Sequence, residues 1–253
     1  MTQDERRVWL IRALLDEQGT KNAVPQDVFE QKRLLRGLMN VRPPKPANEE
    51  FLAVQDAYLS EAIREKGVTA LSDLTPLRPH QYLWRGDITT LAVDAIVNAA
   101  NSQLLGCFSP NHGCIDNAIH TYAGVQLRLA CHEIMQRQRH EEPTGTAKIT
   151  PGFNLPAKYV LHTVGPIVSG KLSERHCKAL ASCYQSCLAL AAENDLFSVA
   201  FCCISTGVFG FPQKEAARVA VETVTAFQKE CPIDVVFNVF KEADLLIYRK
   251  LLQ

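Results

Sequence analysis

The chain has 253 residues, with 27 Lys and Arg against 27 Asp and Glu, so its formal net charge is zero. This length allows one large domain, or one domain with an appendage. Because no basic stripe stands out, the composition argues against nucleic-acid binding. The sequence also lacks a run of about 18 apolar residues, so no membrane span is predicted.

The start of the chain and its cysteines indicate the compartment. Asp4, Glu5 and Arg6 interrupt the apolar positions that a signal peptide would need. Nine cysteines are an odd number, and most lie in apolar segments where a reduced thiol packs as a small hydrophobic group. We therefore expect a cytoplasmic protein without a disulfide framework.

Residues 1–75 are expected to form a helical extension. Thr2 and Glu5 make a capping-box pattern before the first set of apolar residues at helical spacing. A second helix is predicted over 28–39, and a proline-rich segment follows it. Asn48 is then placed to cap a third helix.

From residue 76 onward the chain is predicted to form a separate α/β domain, 76–253. Its short apolar runs lack polar alternation, which is typical of strands covered on both faces. Strands are predicted over 81–84, 92–97, 159–164, 199–204 and 235–240. Helices are predicted over 115–138, 173–194, 213–230 and 242–252. This alternation favours a three-layer α/β/α sandwich around a mixed, largely parallel sheet.

Three loops follow predicted strands, where ligands of such sheets bind. Asp87 offers a carboxylate that can accept a hydrogen bond from an exocyclic amine. The segment 205–212 has two glycines and two hydroxyl side chains before a helix, which suits a diphosphate, although a plain turn fits it equally well. Asn98 and Asn101 carry amides that can bond sugar hydroxyls or only cap turns.

Three soft metal ligands, Cys107, His112 and Cys114, lie within eight residues in a loop that contains Gly, Pro and Asn. Cysteines in such a loop have little core to join, so we predict a metal site, and sulfur with imidazole favours zinc. Three ligands leave one position open, as in catalytic zinc sites. His120 and Cys131 are candidates for a fourth ligand, which would make the site structural.

Asp116 is expected in the first turn of the helix that follows this loop. There the helix dipole favours the ionised carboxylate, which suits a general base or a group that orients water. A plain aspartate at a helix start has the same pattern.

Five segments together resemble the macrodomain family, which binds ADP-ribose. They are Gly-Asp-Ile-Thr at 86–89, Val-Asp-Ala-Ile-Val-Asn-Ala-Ala-Asn at 93–101, Thr-Gly-Thr-Ala at 144–147, His-Thr-Val-Gly-Pro at 162–166 and Ile-Ser-Thr-Gly-Val-Phe-Gly at 204–210. The resemblance covers about residues 81–250. Commoner hydrolytic macrodomains carry a glycine run where this chain has residues 107–114. In this it is similar to the zinc-containing branch, which removes ADP-ribose from proteins and also has a helical extension.

The resemblance implies a role for each matching residue. Asp87 and the backbone of Ile88 would hold adenine, the loop 205–210 would wrap the diphosphate, and Asn101 with the helix start would surround the distal ribose. The implied ADP-ribose-binding residues are Asp87, Ile88, Asn101, Cys114, Ile115, Asp116, Asn117, Ser205, Thr206, Gly207, Val208, Phe209 and Gly210. Asp116 and Asn101 would be catalytic, and Cys107, His112 and Cys114 would bind Zn²⁺.

The resulting hypothesis is a zinc-dependent hydrolase of the glycosidase or esterase type, which frees acidic side chains of proteins from mono-ADP-ribose. ADP-ribose and the modified protein are its expected partners, and an ADP-ribosyl-transferring enzyme is a candidate functional partner. Neither nucleic acid nor a membrane is expected. Two alternatives stay open: a reader module that binds without cleaving, and a deacetylase of O-acetyl-ADP-ribose.

Overall fold

The computed structural model of the protein describes residues 1–20 and 22–253. Its helices are α1 Gln3–Glu17, α2 Val28–Val41, α3 Glu49–Lys66, α4 Ile115–Ala123, α5 Val125–Gln138, α6 Glu174–Glu193, α7 Gln213–Gln228 and α8 Glu242–Leu252. Its strands are β1 Thr69–Ala70, β2 Pro76–Arg78, β3 Gln81–Arg85, β4 Leu91–Ala92, β5 Ala95–Ala99, β6 Ala147–Pro151, β7 Tyr159–Thr163, β8 Ser198–Phe201 and β9 Asp234–Val239.

Seven of these strands form one mixed sheet in the order β2-β3-β9-β8-β5-β7-β6. The five inner strands are parallel, whereas β2 and β6 run antiparallel at the two edges. Helices cover both faces, so the predicted α/β sandwich is confirmed. Because the inner strands share one direction, their carboxyl ends meet at one edge of the sheet, where ligands of such sheets bind.

The centre of the sheet is dry on both faces. Ala95, Ile96 and Val97 of β5 are fully buried, as the absence of polar alternation predicted. Helix α6 covers one face, where the rings of Tyr184 and Phe201 lie 4.7 Å apart between centroids. None of the helices within the described residues is long and apolar enough to span a membrane.

The three predicted helices of the extension are present, and the first and third begin at the predicted caps. Thr2 Oγ1 accepts a hydrogen bond from Glu5 N at 3.2 Å, and the Glu5 carboxylate accepts from Thr2 N in return. Asn48 accepts from the backbone of Phe51 at 2.8 Å. These helices enclose a second apolar cluster, which Val125 of α5 completes. The extension is therefore packed against the α/β domain.

The single helix predicted over 115–138 is wrong, because the chain breaks it at Gly124. This residue has φ 96°, and a Cβ there would lie 2.7 Å from Nε2 of Gln55. Gln55 then accepts from the backbone N–H of Val125 at 2.9 Å. Gln55 of the extension thus fixes the start of the second helix, α5. The spacing of apolar residues along 115–138 does not reveal this distant contact.

Two features of the strands also differ from the expectation. The strand predicted over 92–97 is two strands: Leu91–Ala92 pairs with β1, and Ala95–Ala99 enters the main sheet. The edge strand Ala147–Pro151 was not predicted. It contains a lysine and a proline, which weaken the strand signal but are ordinary at an edge.

Candidate active site

Three inner strands deliver the loops that were predicted to bind a ligand. Strand β3 leads to Asp87, β5 leads to the loop before α4, and β8 leads to the loop before α7. The turn at Gly86 is tied to the neighbouring strand, since its N–H donates to Val239 O at 3.1 Å. The predicted loops therefore lie at one edge of the sheet.

Cys107, His112 and Cys114, termed here the loop group, come together as predicted. Their ligand atoms all lie within 4.8 Å of one another, and Cys107 Sγ is 3.5 Å from His112 Nδ1. Tetrahedral zinc holds sulfur and nitrogen ligands about 3.4 to 3.8 Å apart, and the Cys107–His112 pair has this separation. Within the described chain, no fourth histidine, cysteine or carboxylate joins the group.

Cys114 serves the fold as well as the loop group. It is the N-cap of α4, and its Sγ accepts from Asn117 N at 3.4 Å. Burial raises the pKa of the Cys114 thiol to about 11, with smaller contributions from the neighbouring Cys107 and Asp116.

The loop is held from outside by α2. The Arg36 guanidinium donates to His112 O at 3.1 Å and to Asn117 Oδ1 at 2.8 Å. Asn40 Oδ1 accepts from the backbone N–H of Asn111 at 2.9 Å. Sequence reasoning missed these two residues of the extension, because they lie more than 70 positions away from the atoms that they hold.

Two asparagines predicted to surround the distal ribose make hydrogen bonds within the loop. Asn117 is fully buried, and its Nδ2 donates to Ser109 O at 3.1 Å while its Oδ1 binds Arg36. Asn101 donates to Gly106 O at 3.1 Å and accepts from Gln103 N at 3.0 Å. Both amides therefore shape the loop, and the catalytic role of Asn101 stays a prediction.

Asp116 lies in the first turn of α4, two residues after Cys114, and is buried. Its Oδ1 accepts a hydrogen bond from Asn98 Nδ2 at 2.8 Å. Burial raises the pKa of Asp116 to about 6, against the opposing effects of Asn98 and the Arg128 charge. The helix dipole was expected to favour ionisation, but burial acts in the opposite direction and prevails.

For Asn98 the sequence left sugar binding and turn capping open, and in the structure its amide bonds to side chains within the fold. The residue is fully buried in β5, directly beside His162 of β7. Its Nδ2 approaches His162 Nδ1 at 3.2 Å, and an amide nitrogen can only donate. The Nδ1 atom therefore accepts and Nε2 carries the proton, 2.9 Å from Thr150 Oγ1. Burial lowers the pKa of His162 to about 4, so the ring is neutral.

His120 and Cys131, the candidates for a fourth ligand, belong to another cluster. Together with His162 they form the buried group, whose ligand atoms also lie within 4.8 Å of one another. The ring of His120 packs under the loop, since a Cβ on Gly106 would lie 2.8 Å from it. The structure thus places both candidates with His162 and not with the loop group.

The loop 205–210 has the properties expected of an anion site. Ser205 and Gly210 take positive φ values of 64° and 69°, and Phe211 N donates to Ser205 O at 2.9 Å. Among the described residues, the backbone N–H groups of Gly207 and Val208 have no hydrogen-bond partner. Free N–H groups just before a helix start favour bound phosphate.

Asp87 is held in its charged form. Its Oδ1 accepts from the backbone and hydroxyl of Thr89, and its Oδ2 accepts from Lys66 Nζ at 2.7 Å. Burial alone would raise the pKa of Asp87, but these hydrogen bonds and the Lys66 charge lower it below its ordinary value. Ile88 beside it is buried.

Two further residues near Asp87 were missed. Lys66, the last residue of α3, also lies 3.4 Å from the ring centroid of Tyr122. Phe240 directly follows β9, the strand tied to the Gly86 turn, and its side chain is 77 % exposed. Phe240 falls inside the strand predicted over 235–240, and only the structure shows that the strand ends at Val239 and leaves this ring exposed.

Comparisons with known proteins agree with this architecture. The Macro domain family model matches residues 97–220. A protein-ADP-ribose hydrolase of Treponema medium is 60 % identical over the full length of both chains. One from Staphylococcus aureus strain MSSA476 is 55 % identical over 89 % of this chain and 85 % of its own.

Solved structures give the same result. The Trypanosoma brucei macrodomain in complex with ADP-ribose matches with a TM-score of 0.67 and 32 % identity, over 86 % of this chain and 95 % of its own. The likeness to the Treponema relative extends beyond the α/β domain, because that match covers the whole chain and so includes the helical extension. The chain therefore belongs to the macrodomain family, in the group of the protein-ADP-ribose hydrolases.

Proposed function

We propose that the protein is a zinc-dependent hydrolase that removes mono-ADP-ribose from acidic side chains of modified proteins. The observation that carries the proposal is the loop group beside Asp116 at the carboxyl edge of the sheet. Three soft ligands converge there, and a carboxylate follows the last of them by two residues. The relatives named protein-ADP-ribose hydrolase support the same activity.

Cys107, His112 and Cys114 would hold the metal, because their types and spacing suit tetrahedral zinc. When bound, Zn²⁺ would supply Lewis-acid polarisation of an oxygen at the position that the three residues leave open. Arg36 and Asn40 keep the loop in the shape that this arrangement needs.

Asp116 would orient the attacking water and accept its proton. With a pKa of about 6, the carboxyl is mostly ionised at neutral pH and a better base than an exposed aspartate. The hydrogen bond from Asn98 fixes one of its oxygens and leaves the other for the water. The neutral ring of His162 sets the orientation of the Asn98 amide from behind.

The remaining loops would bind the rest of ADP-ribose. The free N–H groups of Gly207 and Val208 suit the diphosphate. The charged Asp87 can accept from the exocyclic amine of adenine, and the exposed ring of Phe240 can stack on a base.

An acidic acceptor suits a site of this composition. When water attacks the ribose carbon of an ester to a carboxylic side chain, the bond between that carbon and the carboxylate oxygen breaks. The carboxylate leaves as an anion and needs no proton at neutral pH. One base and an electrophile are then sufficient, and Asp116 with the loop group would provide both. An amine or guanidine acceptor would in addition require a general acid.

The test uses the purified full-length protein and a protein substrate that carries ADP-ribose on glutamate. Intact-mass spectrometry follows loss of the modification with and without a zinc chelator, and then after zinc is restored. We expect release to stop with chelator and to return with zinc, while the affinity for free ADP-ribose changes little. Full activity in a metal-free preparation would contradict zinc dependence.

The same assay separates the alternatives. A reader module would bind the substrate and leave its mass unchanged, and a deacetylase would act only on O-acetyl-ADP-ribose offered in parallel. The cytoplasmic location and the pairing with an ADP-ribosyl-transferring enzyme stay predictions.

A further inference from the structure

A groove of about 570 Å³ lies between the helical extension and the outer side of α4. Residues of α2 and α3 form its walls, and Tyr122 of α4 lies at its base. Asn111 of the loop 107–114, termed here the ligand loop, lines the groove, and so does Lys66, which donates to Asp87. The groove thus adjoins the candidate active site at both the loop group and Asp87.

The groove carries a net positive charge in a chain with no net charge. Five Lys and Arg side chains line it, against two acidic ones. Two of the five are paired, Arg7 with Asp4 and Lys66 with Asp87, so the net charge comes from α2. Lys32 and Arg33 are exposed on α2, and Arg36 lies one turn further toward the loop. Arg33 approaches only Glu30, at 3.8 Å, and Arg36 binds the neutral acceptors His112 O and Asn117 Oδ1. The positive charge along α2 is therefore largely uncompensated.

An aromatic residue accompanies these charges. Phe29 is 65 % exposed, and the Arg33 guanidinium lies 5.8 Å from its ring centroid. Val28 beside it is also exposed. Exposed aromatic and arginine side chains are the types that dominate the energy of protein interfaces. The outer end of the groove therefore offers an anchor, and its inner end reaches the ligand loop.

We propose that this groove docks an acidic segment of the ADP-ribosylated protein. The inference rests on the proposed function, because it takes the loop group as the place where the modified residue must arrive. Acidic residues beside the modification would follow the cations of α2 inward, from Lys32 and Arg33 to Arg36. Charge complementarity of this kind raises the association rate and selects among partners.

The test compares two synthetic peptides that each carry one ADP-ribosylated glutamate. In one peptide the four residues on each side are Asp or Glu, and in the other they are Ser or Gly. For the unaltered protein in about 50 mM salt we expect kcat/KM to be about 10-fold higher for the acidic peptide. That advantage should shrink at about 300 mM salt, because exposed charges are then screened.

The variant Lys32→Glu/Arg33→Glu should lower kcat/KM for the acidic peptide about 10-fold and leave the neutral peptide within about 2-fold. Both residues are exposed, so the fold should tolerate the change. Arg175→Glu/Lys178→Glu on α6 is the matched control, since it reverses two exposed charges outside the groove. Equal kcat/KM for the two peptides, or an equal effect of the control, would overturn the docking proposal.

A binding measurement keeps the two proposals apart. Fluorescence anisotropy with the acidic peptide lacking ADP-ribose should show binding to the unaltered protein, weakened at least about 5-fold by Lys32→Glu/Arg33→Glu. Identical affinities would overturn the docking proposal even if both modified peptides are cleaved. Absence of cleavage of either peptide would instead contradict the proposed function, whatever the anisotropy shows.

Discussion

The loop group and the buried group contain the same residue types, and in each the ligand atoms lie within 4.8 Å of one another. The two groups differ in their exposure to solvent and in the hydrogen bonds that their members make. His112 is exposed, whereas the three members of the buried group are enclosed. Both ring nitrogens of His162 are already engaged, by Asn98 and by Thr150. Proximity of donor atoms therefore does not make a metal site; free lone pairs and a route for the ion are also needed.

Replacing a member of the loop group should have the largest effect. Cys114→Ser keeps a good N-cap for α4 but removes a soft ligand. We expect the release of ADP-ribose to fall about 1000-fold or more, with bound zinc lost in metal analysis. Cys231→Ser is the control, because this half-buried cysteine lies outside both groups. If Cys114→Ser retained bound zinc and normal turnover, the loop group would no longer be distinguished from the buried group as the metal site.

The buried group should make the stability of the protein depend on pH. The pKa of His162 is lowered to about 4 in the folded protein, and in the unfolded chain it is about 6.5. As the pH falls below 6.5 the unfolded state takes up the proton first, so the contribution of His162 to stability, about 3 kcal/mol, is lost between pH 6.5 and 4. The raised pKa of Asp116 acts in the opposite direction below about pH 6 and offsets part of this loss in the whole protein.

An NMR titration of the His162 ring checks this directly, with urea unfolding at pH 7 and pH 4.5 beside it. A ring that titrates near pH 6.5 would mean that this histidine is solvated like an ordinary surface residue.

Asp116 connects the two groups, because it follows Cys114 and accepts from the Asn98 amide that also binds His162. Asp116→Asn should lower kcat about 100-fold and leave ADP-ribose affinity nearly unchanged, since the amide keeps the shape but cannot accept the proton. Single-turnover release and calorimetric titration with ADP-ribose measure the two quantities. An unaltered kcat would exclude Asp116 as the base.

The smallest effect is expected for Cys131→Ala. The thiol is buried as a small apolar group, so its loss should cost roughly 1 kcal/mol of unfolding free energy and leave zinc content unchanged. Denaturant unfolding measures the change in unfolding free energy, and metal analysis of the same preparation measures the zinc content. Loss of zinc here would show that the buried group holds metal after all.

The sequence allowed prediction of features that depend on nearby residues. Thr2 and Asn48 cap helices through contacts three residues away, and the loop group spans eight positions. Asn98 could not be assigned, because its burial follows from the register with His162, 64 positions further along the chain.

The break at Gly124 and the position of Asp116 illustrate the same limit. Apolar periodicity continues on both sides of Gly124, and Gln55 of the extension provides the contact that fixes the break. The position of Asp116 at the helix start was local and correctly predicted. The rise of its pKa depends on burial by the whole fold, which the sequence does not display.

The bonds from Arg36 to the ligand loop have a thermodynamic consequence. Arg36 lines the groove and also donates to His112 O. A docked polypeptide that bonds to the Arg36 guanidinium would therefore change how His112 is held. Because such coupling is reciprocal, bound metal would change the affinity for the docked polypeptide by the same factor as the docked polypeptide changes the affinity for metal. The extension would act as a sensor of the substrate, and its removal would take away both the docking groove and the support of the loop that carries His112.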